Sequence, residues 1–345
     1  MNEALARLLL AWYDANGRSL PWRGAGDAYC VWVSEVMLQQ TRAEAVKAYY
    51  ERFLAALPTV QALADVDEDK LFKLWEGLGY YSRARNLRRA ARMVTDAYGG
   101  VIPAAPEDLL RLPGVGLYTA GAVASIAYNV CIPAVDGNAL RVCKRLEADC
   151  ADITLEQTKK ATAARLLAVM PQDRPGAFNQ AMMDLGAMIC LPGGAARCGE
   201  CPLAQGCAAL AQGTVAELPV KSAARPRKLE GRVVLRLECE DRVALRKRPG
   251  KGLLAGLWEF PNAIAVAGEE PPWLPLLTSL GAAREQVAVA AFMGEAKHIF
   301  THIEWHMQGW RLELARIIEN PALVWATRRE LQATYALPSA LSAFL

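Results

Sequence analysis

Histidine is scarce in this chain of 345 residues. There are three, at positions 298, 302 and 306, and the first 297 residues contain none. A site built in that long N-terminal part has no imidazole of its own for acid–base work or metal ligation. Such work falls there to carboxylates, tyrosine or lysine. An excess of one charge is also missing: 39 Lys+Arg face 36 Asp+Glu, a net of +3. That balance by itself announces neither a nucleic-acid nor a membrane binder. The most apolar stretch, residues 120–135, is too short to span a bilayer and is broken by Asn129 and Pro133. The start, Met1-Asn2-Glu3 with Arg7 in its apolar stretch, lacks the basic segment, clean apolar core and small-residue cleavage site of a signal peptide. The expectation is a cytosolic chain. There thiols stay reduced, so clustered cysteines read as a metal site rather than a disulfide frame. With 53% hydrophobic and 22% charged residues the chain is globular, and its length predicts two domains.

Residues 1–217 read as helical. Leu5, Leu8, Leu9 and Trp12 recur at helical spacing before Asn16-Gly17, and the pattern predicts further helices near 28–40, 43–56, 82–98, 117–128, 138–148, 155–169 and 175–190. Character changes after Pro219. Residues 220–228 are basic and aperiodic, so 218–230 is read as a linker. Val233, Leu235 and Leu237 then alternate with polar residues up to a turn at Glu240-Asp241, and Val243 and Leu245 continue the pattern, which predicts a hairpin. With strands near 286–293 and 303–314 and helices near 272–280 and 326–333, residues 231–345 form an α+β domain.

Four of the nine cysteines cluster at 190–207: Cys190-x7-Cys198-x2-Cys201-x5-Cys207. With no histidine nearby the ligand set is four thiolates, which zinc and an iron–sulfur cluster both accept. All four positions of either centre are then filled by protein, so its part is to hold a loop.

Glu35 has Val31, Trp32 and Leu38 as helical neighbours. Two readings stand: a carboxylate at a helix edge reaching water, or a desolvated acid with a raised pKa suited to general-acid work. Asp136 follows the apolar run 131–135 and opens Asp136-Gly137-Asn138, as a helix N-cap or as a second active-site carboxylate. One neutral and one ionised carboxyl are the equipment for cleaving a glycosidic bond through an oxocarbenium-like state. Leu112-Pro113-Gly114-Val115-Gly116 is either a tight turn between packed helices or, through Gly114 and Gly116, a source of free N–H groups for a phosphate. Gly77-Leu78-Gly79-Tyr80-Tyr81 precedes an arginine-rich helix with Arg85, Arg88 and Arg92 on one face. An aromatic on such a loop can wedge into a base stack; Arg83 and Arg89 read as a solvated basic face.

These residues carry a resemblance. Leu112-Pro113-Gly114-Val115-Gly116, Val135-Asp136-Gly137-Asn138 and the four-cysteine loop resemble the helix–hairpin–helix DNA glycosylases of the endonuclease III superfamily. Pro21-Trp22-Arg23, the segment from Trp32 through Gln40-Thr41, the 77–87 segment and Phe178-Asn179-Gln180-Ala181-Met182-Met183-Asp184-Leu185-Gly186 resemble its branch that acts on mispaired adenine. Gly256-Leu257-Trp258-Glu259-Phe260-Pro261 and Phe300-Thr301-His302 resemble that branch's MutT-like (Nudix-like) C-terminal domain.

The resemblance implies a monofunctional glycosylase that flips adenine out of a mispair with 8-oxoguanine or guanine. Glu35 would protonate the base and Asp136 would stabilise the sugar cation, with Tyr118 and Asn138 supporting Asp136. Arg18, Trp22, Arg23 and Gln180 would line the adenine pocket. Gln40, Thr41, Leu78 and Tyr80 would act around the opposite base, and Thr301 and His302 would read it. The cysteines would hold a [4Fe–4S] cluster. Lyase relatives carry lysine where this chain has Tyr118, which argues against the alternative of an endonuclease III-like glycosylase/lyase for oxidised pyrimidines. The implied partner is double-stranded DNA, with no membrane; the protein is a monomer in a nucleoid-associated setting. Two departures stand out. The first cysteine gap is seven residues where six is usual, and only Glu259 and Asn262 remain where pyrophosphatase relatives carry a glutamate-rich metal motif, so recognition rather than hydrolysis is expected of that domain.

Overall fold

The computed structural model describes residues 1–345 except 25, 224, 225, 267 and 269; Ala224 and Arg225, within the segment read as linker, thus lie outside the described residues. Helices run in chain order α1 (Glu3–Asn16), α2 (Ala28–Leu38), α3 (Ala43–Ala56), α4 (Val60–Asp65), α5 (Glu68–Trp75), α6 (Ser82–Tyr98), α7 (Pro106–Leu109), α8 (Leu117–Tyr128), α9 (Gly137–Glu147), α10 (Glu156–Leu167), α11 (Pro175–Met188) and α12 (Ala208–Ala211). Strands follow: β1 (Lys228–Cys239), β2 (Arg242–Lys247), β3 (Trp258–Glu259), β4 (Asn262–Ile264), β5 (Val287–Ile299), β6 (Ile303–Leu314) and β7 (Leu323–Thr327), with α13 (Leu274–Ser279) and α14 (Arg328–Ala333). Among the described residues no helix is long and apolar enough to cross a membrane.

The chain divides into two compact units, Met1–Val66 with Arg85–Ala223, and Asp67–Ala84 with Ala224–Leu345. The segment Asp67–Ala84, placed with the helical domain on sequence periodicity, thus groups with the C-terminal sheet. The reason is a set of polar bonds from Asp69, Lys73 and Glu76 to residues 247, 258, 335 and 337, which no local pattern announces.

In the first unit α2 and α8 are buried nearly all round, from Tyr29 to Met37 and from Thr119 to Ser125. Such helices form the middle of a bundle rather than its surface. The hairpin between α7 and α8 turns at Gly114, whose φ of +80° and whose approach to Asn86 (2.8 Å for an added Cβ) both require glycine. Leu112 and Val115 anchor that turn in the core, while Gly116 caps α8 in extended conformation. α11 packs on α9 so closely that a Cβ on Gly186 would lie 2.5 Å from the Asn138 side chain. That contact fixes the N-terminus of α9.

In the second unit the strands form one mixed sheet, ordered β3-β2-β1-β6-β5, with β4 on β1 and β7 on β2; β1 and β6 run parallel and the other pairs antiparallel. Val233, Leu235 and Leu237 face one core with α13, while Val234, Val243, Leu245 and Trp305 face another, closed by residues 337–344. The turn at Glu240 and the period-two pattern of β1 are as the sequence predicts. β3, β4 and β7, with two, three and five residues, are too short for such a pattern.

Candidate active site

Glu35 lies on the inner face of α2 and is 4% exposed. Of its two sequence readings, the structure has the desolvated one. The Tyr118 hydroxyl, from the first turn of α8, donates to Glu35 Oε2 at 2.5 Å. Burial pushes the Glu35 carboxyl up to about 7; the Tyr118 bond pulls the other way, the charge of Asp136 adds to the rise, and Arg23 opposes it. The Tyr118 phenol is itself held well above its ordinary range by burial and by the two carboxylates.

Asp136 is the helix N-cap that the sequence allowed. It caps α9, accepting from Ala139 N–H at 2.7 Å, and its other oxygen accepts from the Asn138 amide at 2.7 Å. Burial raises its pKa while these donors lower it. Asn138 thus bonds Asp136, whereas the Tyr118 phenol bonds Glu35. The start of α8 aims the hydroxyl at α2, and the two donors Asp136 uses come from its own cap.

Arg18, Trp22, Arg23 and Gln180 line one recess of about 400 Å³ with Glu35, Ser34 and Met183. Asp184, one turn beyond Gln180 on α11, organises this wall. It is wholly buried and takes Arg18 Nε at 2.6 Å and both Arg23 Nη atoms at 2.6 and 2.8 Å. The two guanidiniums hold its carboxyl below the ordinary range against the opposing effect of burial, which is the largest single influence. Tyr13 donates to Gln180 Oε1 at 2.6 Å, and Arg23 lies over the Tyr13 ring at 5.4 Å. Neither Asp184 nor Tyr13 was singled out from sequence. An acid one helical turn from Gln180, in a chain with Arg18 and Arg23, was the available signal.

An open groove of about 2040 Å³ adjoins, lined by Gln40, Thr41, Gly114, Gly116, Tyr118, Asp136 and Asn138 together with Arg42, Arg141 and Lys221. Leu38 belongs to both cavities. Gln40 has φ +58°, a conformation that a side-chain-bearing residue holds only where its surroundings impose it.

Arg141 on α9 ties this groove to the cysteine loop. It donates to Asn138 Oδ1 (2.9 Å), the Gly186 carbonyl (2.8 Å) and the Cys190 carbonyl (2.8 Å). Cys190, Cys198, Cys201 and Cys207 line one apolar recess of about 400 Å³. The first gap contains a 3-10 turn at Gly193–Ala195. Buried Arg145 holds that turn through the Leu191 and Gly193 carbonyls and reaches Cys190 Sγ at 3.3 Å. All nine cysteines are free thiols. Among the described residues no three His, Cys, Asp or Glu side chains converge on a point fit for one ion. Four thiols round one apolar recess are a donor set that zinc and an iron–sulfur cluster both accept.

The second unit carries the other predicted residues. Tyr80 is 49% exposed with φ +47°, while Leu78 is buried. Arg83, read as part of a solvated face, is buried instead, because the carbonyls of Leu78 and Gly79 take its guanidinium. Thr301 and His302 are exposed at the β5–β6 turn. That turn is pinned by Lys228 N–H on the His302 carbonyl (3.0 Å) and Arg227 Nε on the Phe300 carbonyl (3.1 Å). Glu259 is buried and neutralised by Arg246 (2.8 Å) and Arg248 (2.5 Å), with Asn262 donating at 2.7 Å.

Residues 33–170 match the HhH-GPD superfamily of base excision DNA repair proteins, and residues 232–345 match the NUDIX domain. The adenine DNA glycosylase of Rattus norvegicus is 36% identical over 90% of this chain and 70% of its own length. That of Homo sapiens is 35% identical over 93% and 70%. Among solved structures, a thermostable thymine-DNA glycosylase matches with a TM-score of 0.56 at 28% identity, over 61% of this chain and 96% of that one. A non-covalent endonuclease III–DNA complex matches with 0.52 at 23%, over 61% and 98%, a likeness of fold. The chain belongs to the adenine DNA glycosylase family.

Proposed function

We propose that this protein removes adenine mispaired with 8-oxoguanine or guanine by hydrolysing the N-glycosidic bond, without efficient strand cleavage. The observation that carries the reading is Glu35, buried and bonded to Tyr118 in a recess walled by Arg18, Trp22, Arg23 and Gln180. A carboxyl held near 7 is protonated in a large fraction of molecules at neutral pH. It can give a proton to N7 of a flipped adenine, turning the base into a neutral leaving group. Asp136, on the adjoining groove, stabilises the oxocarbenium sugar, and Asn138 holds its second oxygen. Gln180, fixed by Tyr13, and the Arg18–Asp184–Arg23 clamp orient the base.

Tyr118 supports the monofunctional reading. A lyase needs an amine to form a Schiff base with the sugar, and the phenol here is committed to Glu35. Gly114, Gly116, Gln40 and Thr41 contact the DNA backbone and the opposite base, Leu78 and Tyr80 wedge beside that base, and Thr301 and His302 read it. Residues 1–217 run the chemistry and 231–345, together with the loop of Leu78 and Tyr80, check the opposite base; the 218–230 stretch that joins them ends inside β1, which starts at Lys228. The four cysteines hold a [4Fe–4S] cluster; when bound, it cross-links residues 190 to 207 and orders a DNA-facing loop. The protein acts as an intracellular monomer on double-stranded DNA.

The test is single-turnover excision on duplexes with adenine opposite 8-oxoguanine, guanine or thymine and on a duplex carrying an oxidised pyrimidine, followed by release of the free base, with borohydride trapping in parallel. Adenine release fastest opposite 8-oxoguanine, with no trapped adduct, supports the reading. Release of oxidised pyrimidines with a trapped adduct supports the endonuclease III-like alternative.

A further inference from the structure

The bonds that seat Asp67–Ala84 in the second unit form a continuous path from the sheet to Tyr80. Asp69, in the first turn of α5, accepts from Lys247 Nζ on β2 (2.8 and 3.0 Å) and from Trp258 Nε1 on β3 (3.1 Å). Lys247 also lies over the Trp258 ring at 5.3 Å. Further along, Lys73 donates to the Tyr335 carbonyl (3.2 Å), and Glu76 accepts from Leu337 N–H (2.8 Å). α5 ends at Trp75, which is buried and donates its indole N–H to the Gly79 carbonyl at 3.1 Å. Arg83 grips the Leu78 and Gly79 carbonyls at 3.1 and 3.2 Å and lies 5.5 Å from the centres of both the Trp75 and Tyr80 rings. Tyr80 stands at the end of this path, half exposed, with φ +47°. A bulky residue keeps such a backbone conformation only where neighbours over-determine it.

We infer that Asp69 is a positioning residue for discrimination of the opposite base: it seats α5 on β2 and β3, and through Trp75 and Arg83 it sets the pose of Tyr80. The inference rests on the reading of Tyr80 as the wedge beside the opposite base. The Asp69–Lys247 pair is partly exposed, with side chains 30% and 41% accessible. It contributes little to overall stability. Its leverage is geometric, because Asp69 bonds both β2 and β3 at the start of the path. The consequence is that the loop carrying Tyr80 and the turn carrying Thr301 and His302 belong to one body, and a change at the α5 seat alters what is read rather than what is cut.

The experiment compares the full-length protein with Asp69→Ala, Tyr80→Ala and the double variant. It measures single-turnover rates for adenine opposite 8-oxoguanine and opposite guanine. The ratio of the two rates is the readout, because a general loss of fold lowers both rates together. Asp69→Ala is expected to lower the ratio about fivefold, about 1 kcal/mol of coupling. In the Tyr80→Ala background it is expected to add nothing. Lys247→Met should reproduce the loss and covers the case where Asp69→Ala does not fold; Asp69→Asn, which keeps an acceptor for Trp258, should restore part of the ratio. A parental ratio in Asp69→Ala and Lys247→Met, with a lowered one in Tyr80→Ala, overturns the inference and leaves the wedge reading standing. Losses that multiply in the double variant also overturn it. A parental ratio in Tyr80→Ala refutes the wedge reading and the inference with it.

Discussion

Replacing Glu35 by Gln separates what the buried acid does for the reaction from what it costs the fold. Burial holds the Glu35 carboxyl at about 7, against an ordinary 4.5. The unfolded chain gives up that proton near the ordinary value and the folded chain only near 7. Between the two the folded state binds more protons, so stability falls as pH rises, and above 7 the whole cost is present. At about 1.4 kcal/mol per pH unit the gap corresponds to about 3 kcal/mol. Glutamine has nearly the same shape, carries no charge and can still accept from Tyr118, so the variant escapes the cost. We expect Glu35→Gln to lose base excision and yet exceed the parent by about 3 kcal/mol at about pH 8.5, with the difference vanishing near pH 4.5. Denaturant unfolding of both proteins at several pH values is the assay; in a thermal scan the gain at the alkaline end corresponds to roughly 6–12 °C. A gain independent of pH, or a variant less stable than the parent at the alkaline end, refutes the argument that a desolvated acid occupies this position.

Three further outcomes follow from the same geometry. With Glu35 as the proposed acid, the excision rate should fall about tenfold per pH unit above about 7; Tyr118→Phe removes a bond that lowers the Glu35 pKa and should move that limb to higher pH in single-turnover profiles. Asp184→Asn leaves two guanidiniums against a neutral, wholly buried amide and should cost about 3–5 kcal/mol in denaturant unfolding, together with adenine binding; parental stability would contradict the clamp. Arg141→Leu cuts the bonds joining Asn138 to the Cys190 carbonyl and should lower excision about tenfold, the factor of one charged hydrogen bond; a folded variant with parental excision rates would show that the link is idle.

How much of this was legible depended on whether a residue's role is set locally. The main helices of the first unit are where apolar spacing and caps place them, because amphipathic period and N-cap chemistry are local. Asp136 as a cap could be read from Asp136-Gly137-Asn138 alone. The depth of Glu35 could not: α2 is apolar all round, and whether its one acid meets water depends on what packs against it. Which carboxylate Tyr118 bonds could not be read either, because it depends on how α8 packs against α2. Arg83 was misread for a similar reason, since an arginine on a basic face looks solvated until a loop turns its carbonyls toward it. Asp184 and Asp69 are the sharpest cases: their partners lie 161–166 and 178–189 residues away, a separation no window spans.

One measurement bears most directly on the central claim, that Glu35 and Asp136 remove adenine from a mispair without cutting the strand. The purified full-length protein is incubated with a duplex carrying adenine opposite 8-oxoguanine, and strand breaks are scored with and without alkali, beside Glu35→Gln. The account predicts breaks that appear only after alkali and are lost in Glu35→Gln. Efficient breaks without alkali, or breaks undiminished in the variant, would contradict it.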